Sequence, residues 1–456
     1  MIGQEFIALL SILVVLSLVI LFTKKVFKNI SGELSRKIIH IATGITTLTF
    51  PFVFTSYISV IIISSVTIVG LLALKNVKSI RNRFGDGLFN IERKSYGDLY
   101  FALSVAILFT TYKVTGAHVV TYLIPILTLT FADSVAAVVG INYGKKSISS
   151  VDEDKKSIEG SFIFFIVAFL CTLVPLQLMT SVGRAEVLII SFFVGILAAM
   201  IEMTGHDGND NLLLPLYTYA IIAYNIDKGL DVFTYNFVVM FAVMLISIIV
   251  FKINKLSKLA LVAALLCGYM ILILGSINWL YIPLLTFIFF GILPSANEAE
   301  NKNEFNYRII ETNIVIGNVF VWLRAITGLT DICFVCFLAS FCMVIVMNTY
   351  TRLSTFWKYP SIKSAALAIL KATLVIEIPY ILWNSLRNIY RFWDWIIVFT
   401  VIVIAALISR ALNKKFDYSY INMTAAVANT ISMGIVTGII FILYILAGVN
   451  GWIALS

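Results

Sequence analysis

The chain has 456 residues, 60% hydrophobic and 12% charged, with a net charge of +9. Soluble domains carry about 25% charged residues, so this composition and a mean hydropathy of +0.99 exclude a soluble globular fold. The apolar runs are long and lack period-two alternation, which excludes a β-barrel and leaves an all-α polytopic integral membrane protein.

Sixteen apolar runs predict about sixteen transmembrane helices, at roughly 5–23, 38–55, 57–74, 96–112, 117–140, 161–178, 185–203, 211–226, 232–251, 259–275, 279–294, 309–328, 331–348, 364–385, 393–411 and 422–446. The first run is read as a span and not as a cleaved leader. It is long, Lys24 and Lys25 stop it, and no small-residue cleavage site follows. With the N-terminus outside, inside loops hold 26 of the 33 lysines and arginines, as the positive-inside rule requires. The basic residues lie in short loops between spans, which argues against nucleic acid as a partner.

The loops at 24–40, 75–98, 133–161 and 204–211 then share one side of the membrane, the cytoplasmic side. Each carries a polar cluster. Ser35-Arg36-Lys37-x-x-His40 opens the second span, and Arg36 and His40 share a helix face. A function for Arg36 and Lys37 competes with snorkelling to headgroups; His40 lies a turn deeper. Glu92-Arg93-Lys94-Ser95-Tyr96-Gly97-Asp98 precedes the fourth span, where Asp98 suits the helix dipole or a ligand equally well.

Asp133 ends the fifth span, and a carboxylate near membrane depth is a functional candidate by default. Gly140, Gly144, Lys145, Lys156, Glu159 and Gly160 follow. Acids can hold Mg²⁺, lysines can pair with phosphates, and glycines let backbone approach a ligand. The alternative is an ordinary basic loop. Glu202-Met-Thr-Gly-His206-Asp207-Gly208-Asn209-Asp210-Asn211 forms the last cluster. Asp210 and Asn211 can supply oxygens to a hard cation, or Asn can merely cap a helix.

No P-loop, protein-kinase set or nucleophilic triad occurs. The five cysteines all sit inside apolar runs. Cys333-x-x-Cys336 has no histidine nearby and reads as packing.

Asp133-x-x-Ala136-x-x-x-Gly140-x-x-x-Gly144-Lys145, followed by Lys156-Ser157-x-Glu159-Gly160-Ser161, resembles the nucleotide-binding region of the dolichol kinase and phytol kinase family. CTP-dependent diacylglycerol kinases are relatives of that family, and phosphatidate cytidylyltransferases are more distant. The Arg-Lys-x-x-His and Glu…Gly…Asp-Asn…Pro elements match it as well. The resemblance covers about residues 31–226 and implies phosphoryl transfer from CTP, with Mg²⁺, to a membrane lipid alcohol. Asp133, Glu159, Asp210 and Asn211 would hold the metal. Gly140, Gly144, Lys145, Lys156, Glu159 and Gly160 would bind nucleotide. His40 or Asp207 would take the hydroxyl proton.

A cytidylyltransferase that releases pyrophosphate, or a transporter, are the other readings. The site would face the cytoplasm of a prokaryotic plasma membrane. The lipid and the oligomeric state stay open.

The stretch at 297–308 is the most polar loop and a candidate boundary beyond which acids are sparse, and an eight-plus-eight duplication would divide the chain into 1–230 and 231–456. The second half loosely resembles a membrane family that includes phytyl-phosphate kinases, with its Asp-Thr-Trp degenerated to Asn348-Thr349-Tyr350 and Ala428-Asn429-Thr430 standing for a later motif. Eight spans separate Asp133 from Asn348. Two divergent eight-helix halves, the second catalytically silent, are the expectation.

Overall fold

The computed structural model describes residues 5, 7–16, 18, 32–77, 96–145, 156–205, 207–254, 258–290, 307–386, 392–415 and 423–449. Among them there is no β-strand. The helices are α1 (Ile7–Leu16), α2 (Gly32–Leu48), the single turn α3 (Phe50–Val53), α4 (Tyr57–Asn76), α5 (Gly97–Thr115), α6 (Val120–Tyr143), α7 (Ile158–Met179), α8 (Arg184–Thr204), α9 (Asp210–Asn225) and α10 (Leu230–Asn254). After them come α11 (Lys258–Gly275), α12 (Ile277–Phe290), α13 (Tyr307–Thr327), α14 (Thr330–Thr355), α15 (Ser361–Leu386), α16 (Phe392–Lys415) and α17 (Met423–Val449).

Eight of these are long and apolar enough to cross a membrane: α4, α6, α7, α8, α14, α15, α16 and the core of α17. Further apolar stretches, among them Leu261–Gly275 and Ile314–Thr327, are shorter. The eight establish a membrane-spanning helical protein but not the full count of sixteen.

The chain divides into two compact units, Met1–Phe233 and Thr234–Ser456. Each is organised around one buried helix. In the first unit α6 packs against α2, α5, α7 and α9. In the second, α14 packs against α12, α13, α15, α16 and α17, and Cys333, Cys336 and Cys342 are buried in its core. The outer helices keep their branched side chains on the lipid side: Ile58, Ile61, Ile62, Val66 and Val69 of α4 are all exposed. Lipid is as apolar as leucine, so close packing and polar contacts, not water exclusion, hold such helices together.

Two local features of α6 place the site. Pro125 lacks an N–H, and the helix then widens into a π-helical turn over Thr128–Ala132, ending at Asp133. Such turns shift the face on which later side chains emerge and concentrate at functional positions. The second feature is the crossing of α7. A Cβ on Gly160 would lie 3.3 Å from the Ala136 carbonyl oxygen and 3.5 Å from the Gly140 Cα. The two backbones touch there, so both glycines serve the helix crossing.

Candidate active site

One end of the first unit gathers the polar clusters. α5, α7 and α9 begin there, and α6 and α8 reach it with their last turns. A backbone bond from the Tyr96 N–H to the Asp207 carbonyl, 2.9 Å, ties the start of α5 to the turn before α9. Asp207 adopts φ +50° and Gly208 φ +87° in that turn.

The first half of the site lies between α2 and α6. Lys37 Nζ donates to Asp133 Oδ2 at 2.6 Å, and the lysine is 6% exposed. Burial and pairing rule out the snorkelling role for Lys37. His40 Nε2 stands 3.2 Å from the Leu129 carbonyl and 3.7 Å from Asp133 Oδ2. A carbonyl only accepts, so the neutral ring carries its proton on Nε2 and presents a lone pair at Nδ1. Phe101 of α5 packs edge-on against the His40 ring, centroids 5.2 Å apart. Asp98 lies within electrostatic range of His40, and Arg36 within range of Asp133.

The second half lies between α7, α8 and α9. Lys156 Nζ is 3.1 Å from Glu202 Oε1 and 3.6 Å from Asp210 Oδ2, and it also donates to the Glu202 carbonyl. Burial opposes the charge on Lys156, but Glu202 and Asp210, with Asp133 farther off, outweigh it and hold its pKa above the ordinary lysine value. Asp133 lies within electrostatic range of that ammonium, so the two halves adjoin. Ser161 Oγ approaches Glu202 Oε2 at 3.4 Å. The Asn211 N–H donates to Asp210 Oδ1 at 3.2 Å, and Asn211 is buried.

The remaining candidates frame this centre. Glu159 accepts from the Lys145 N–H at 3.2 Å, closing the base of the loop between α6 and α7. Ser157 caps α7 by accepting from the Gly160 N–H at 3.1 Å. The Gly144 N–H bonds to the Gly140 carbonyl at 3.1 Å and ends α6. Asp207 contributes its backbone to the start of α5, and its residue is exposed. His206 lies outside the described residues.

Three residues received no role in the sequence reading. Glu202 is the nearer carboxylate to Lys156; its place in a Glu…Asp-Asn element was the available signal. Thr128 and Thr130, in the π turn, keep buried hydroxyls without a hydrogen-bond partner. Threonines in an apolar run send no signal, because helical ones usually bond to the carbonyl four residues back.

Among the described residues no three His, Cys, Asp or Glu side chains group as a metal cage. Mg²⁺ needs less, usually one or two carboxylates together with substrate phosphates and water. Asp133 and the Glu202–Asp210 pair offer that donor set, each now balanced by a lysine.

A polytopic helical membrane protein with a charge-paired polar centre at one end of its first unit is the class defined so far. The chain belongs to the phytol kinase family. It is 30% identical over 194 residues to a phytol kinase of Synechocystis sp. (strain ATCC 27184 / PCC 6803 / Kazusa), across 42% of this chain and 79% of the relative. No protein-family profile matches the chain. No solved structure matches it.

Proposed function

We propose that the chain is a kinase that moves the terminal phosphoryl group of CTP to the hydroxyl of a membrane lipid alcohol. The observation that carries the reading is the convergence of Asp133, beside the π turn of α6, with Lys156, Glu202 and Asp210 at the ends of α7, α8 and α9, in a member of a family named for phosphorylating an alcohol. Phosphoryl transfer needs positioning and charge stabilisation more than covalent chemistry.

In this reading the alcohol oxygen attacks the terminal phosphorus, and the bond from that phosphorus to the bridging oxygen breaks. CDP leaves, and the hydroxyl proton passes to the open Nδ1 of His40; Asp207 is the other candidate. Lys37 and Lys156 keep the acids oriented and release charge to the phosphates when nucleotide enters. Asp133, with Asp210 and Glu202, would hold Mg²⁺, which supplies charge neutralisation on the phosphates. Lys145 and Glu159 would meet the nucleotide at the ends of α6 and α7.

Purified protein with γ-labelled CTP and a panel of phytol, farnesol-type alcohols, dolichol and diacylglycerol tests this. Label in one lipid, with release of CDP, is the expected result. Pyrophosphate release would move the chain to the cytidylyltransferases, and absence of any lipid product would end the enzymatic reading.

The proposed orientation has about sixteen crossings in two eight-helix halves, with the polar centre cytoplasmic. Asn142 lies at the site end of α6 and His118 just before its other end. A maleimide that cannot cross membranes should label His118→Cys in intact cells and leave Asn142→Cys untouched. The reverse pattern would invert the topology.

A further inference from the structure

The second unit carries a buried acid that the proposed kinase site does not use. α15 opens into a π-helical turn over Thr373–Glu377, at the middle of its length. Glu377 is 4% exposed, and its Oε2 has no hydrogen-bond partner. Lys371 and Arg352 lie within electrostatic range of each other, and neither forms an ion pair with Glu377. Thr373, on the same turn, is the polar side chain that acts on its carboxyl, and it is uncharged. Cys342 of α14 is within electrostatic range of Glu377, and Tyr281 of α12 within range of Cys342. The Tyr281 hydroxyl is itself buried and unpartnered.

The polar groups continue along one face of α15. Tyr380 stands three residues after Glu377 and Asn384 seven after it, spacings that stay on one side of a helix. Both are buried, and Asn384 Nδ2 has no partner. Tyr380 donates to Asp394 Oδ2 at 3.2 Å. Asp394 is 3% exposed, in the first turn of α16. Seven residues of helix span about 10 Å, so the face runs from the middle of α15 toward its end.

A carboxylate in this setting is costly without a cation, and a buried acid lacking one takes up a proton instead. An unpartnered carboxyl oxygen, on a helix face that carries an unpartnered amide about 10 Å farther along, suits a proton-exchange site. π-helical turns mark such positions.

We infer that the second unit holds a proton-binding site, with Glu377 carrying an exchangeable proton at the middle of α15 and Tyr380 and Asp394 leading from it to the helix end. Binding forms one O–H bond on the carboxylate from a solvent proton, and nothing leaves. The site does not depend on the kinase reading.

The test is the infrared carbonyl stretch of a protonated carboxyl, recorded on the purified full-length chain in detergent at neutral pH, in H₂O and D₂O. Wild type should show the band, shifted in D₂O. Glu377→Gln should lose it, Glu377→Asp should keep it at a new frequency, and Asp394→Asn should retain the wild-type band. Should Glu377→Gln fail to fold, dicyclohexylcarbodiimide reads the same group in wild type. The acid O–H adds across one C=N bond, its proton going to nitrogen, and the acyl group then moves to nitrogen as a stable adduct. Mass mapping should find that adduct on Glu377. A wild type without the band, a band that survives Glu377→Gln, or an adduct confined to other acids would overturn the site.

Discussion

Asp133→Asn is expected to lower lipid phosphorylation at least about a hundredfold, the scale on which a preorganised electrostatic contact acts in a transition state. The substitution keeps the side chain's shape and removes the anion. That anion faces Lys37 at 2.6 Å and His40 at 3.7 Å, and lies within electrostatic range of Lys156. In the proposed reaction it also orients the ring that takes the hydroxyl proton. Part of the effect is structural, because a neutral amide in place of the carboxylate leaves the buried Lys37 ammonium uncompensated, which destabilises a fold strongly. The double variant Asp133→Asn, Lys37→Met separates the two. It should recover the thermal stability of wild type and none of the turnover. Recovery of turnover would reduce Asp133 to a partner for Lys37. Asn348→Ala in the second unit should leave kinase turnover nearly unchanged, since its side-chain amide only bonds back to the Val344 carbonyl, at 2.9 Å. Equal losses from Asp133→Asn and Asn348→Ala would place chemistry in both units.

Lys156→Met has the second large effect, and it falls on folding and catalysis together. The ammonium lies between Glu202 and Asp210, at 3.1 and 3.6 Å, and its side chain is only 16% exposed. Without it two carboxylates face each other across a poorly solvated gap. Breaking a buried pair costs about 3–5 kcal/mol, and partial exposure of all three side chains puts this case near about 3 kcal/mol. The loss has a pH signature. Lys156 holds its charge above the ordinary lysine pKa, so its contribution is complete below that pKa and fades only as pH rises through the higher folded-state value. Wild-type stability should therefore stay level from neutral pH upward until strongly alkaline conditions. Thermal unfolding of both proteins from neutral pH to above about pH 11 reads this: the stability gap should hold through neutral pH and close only in the alkaline range, and the absence of a gap at neutral pH would show that Lys156 pairs with neither acid in solution.

Lys156→Met also distinguishes two roles for this lysine. The loop reading made it a phosphate ligand. The structure makes it first the clamp between α8 and α9, one whose charge the nucleotide phosphates would share. A clamp lost raises the CTP requirement and lowers turnover together, whereas a phosphate ligand alone would raise the requirement only.

The class of the molecule was written in composition. Long apolar runs leave backbone groups no partner but their own helix, so a helical membrane protein follows from the residues directly. Most of the site was also legible, because charge inside such a chain is expensive and its few placements are informative. Asp133, Lys156 and Asp210 stand out for that reason. The sequence could not tell which acid meets which lysine. For Lys37 a functional role competed evenly with an interfacial anchor, since a basic residue at a helix start can snorkel; its burial against α6 is a long-range fact. Glu202 and Asp210 are brought to Lys156 by the packing of α7, α8 and α9, and Thr128 and Thr130 lack their usual carbonyl partner in a π turn that residue type does not announce. Gly140 and Gly160 read as room for a ligand, yet backbone contact between α6 and α7 consumes that room. Residue type and spacing determined what chemistry is present, while only the tertiary fold, by choosing neighbours across helices, decided how it is paired.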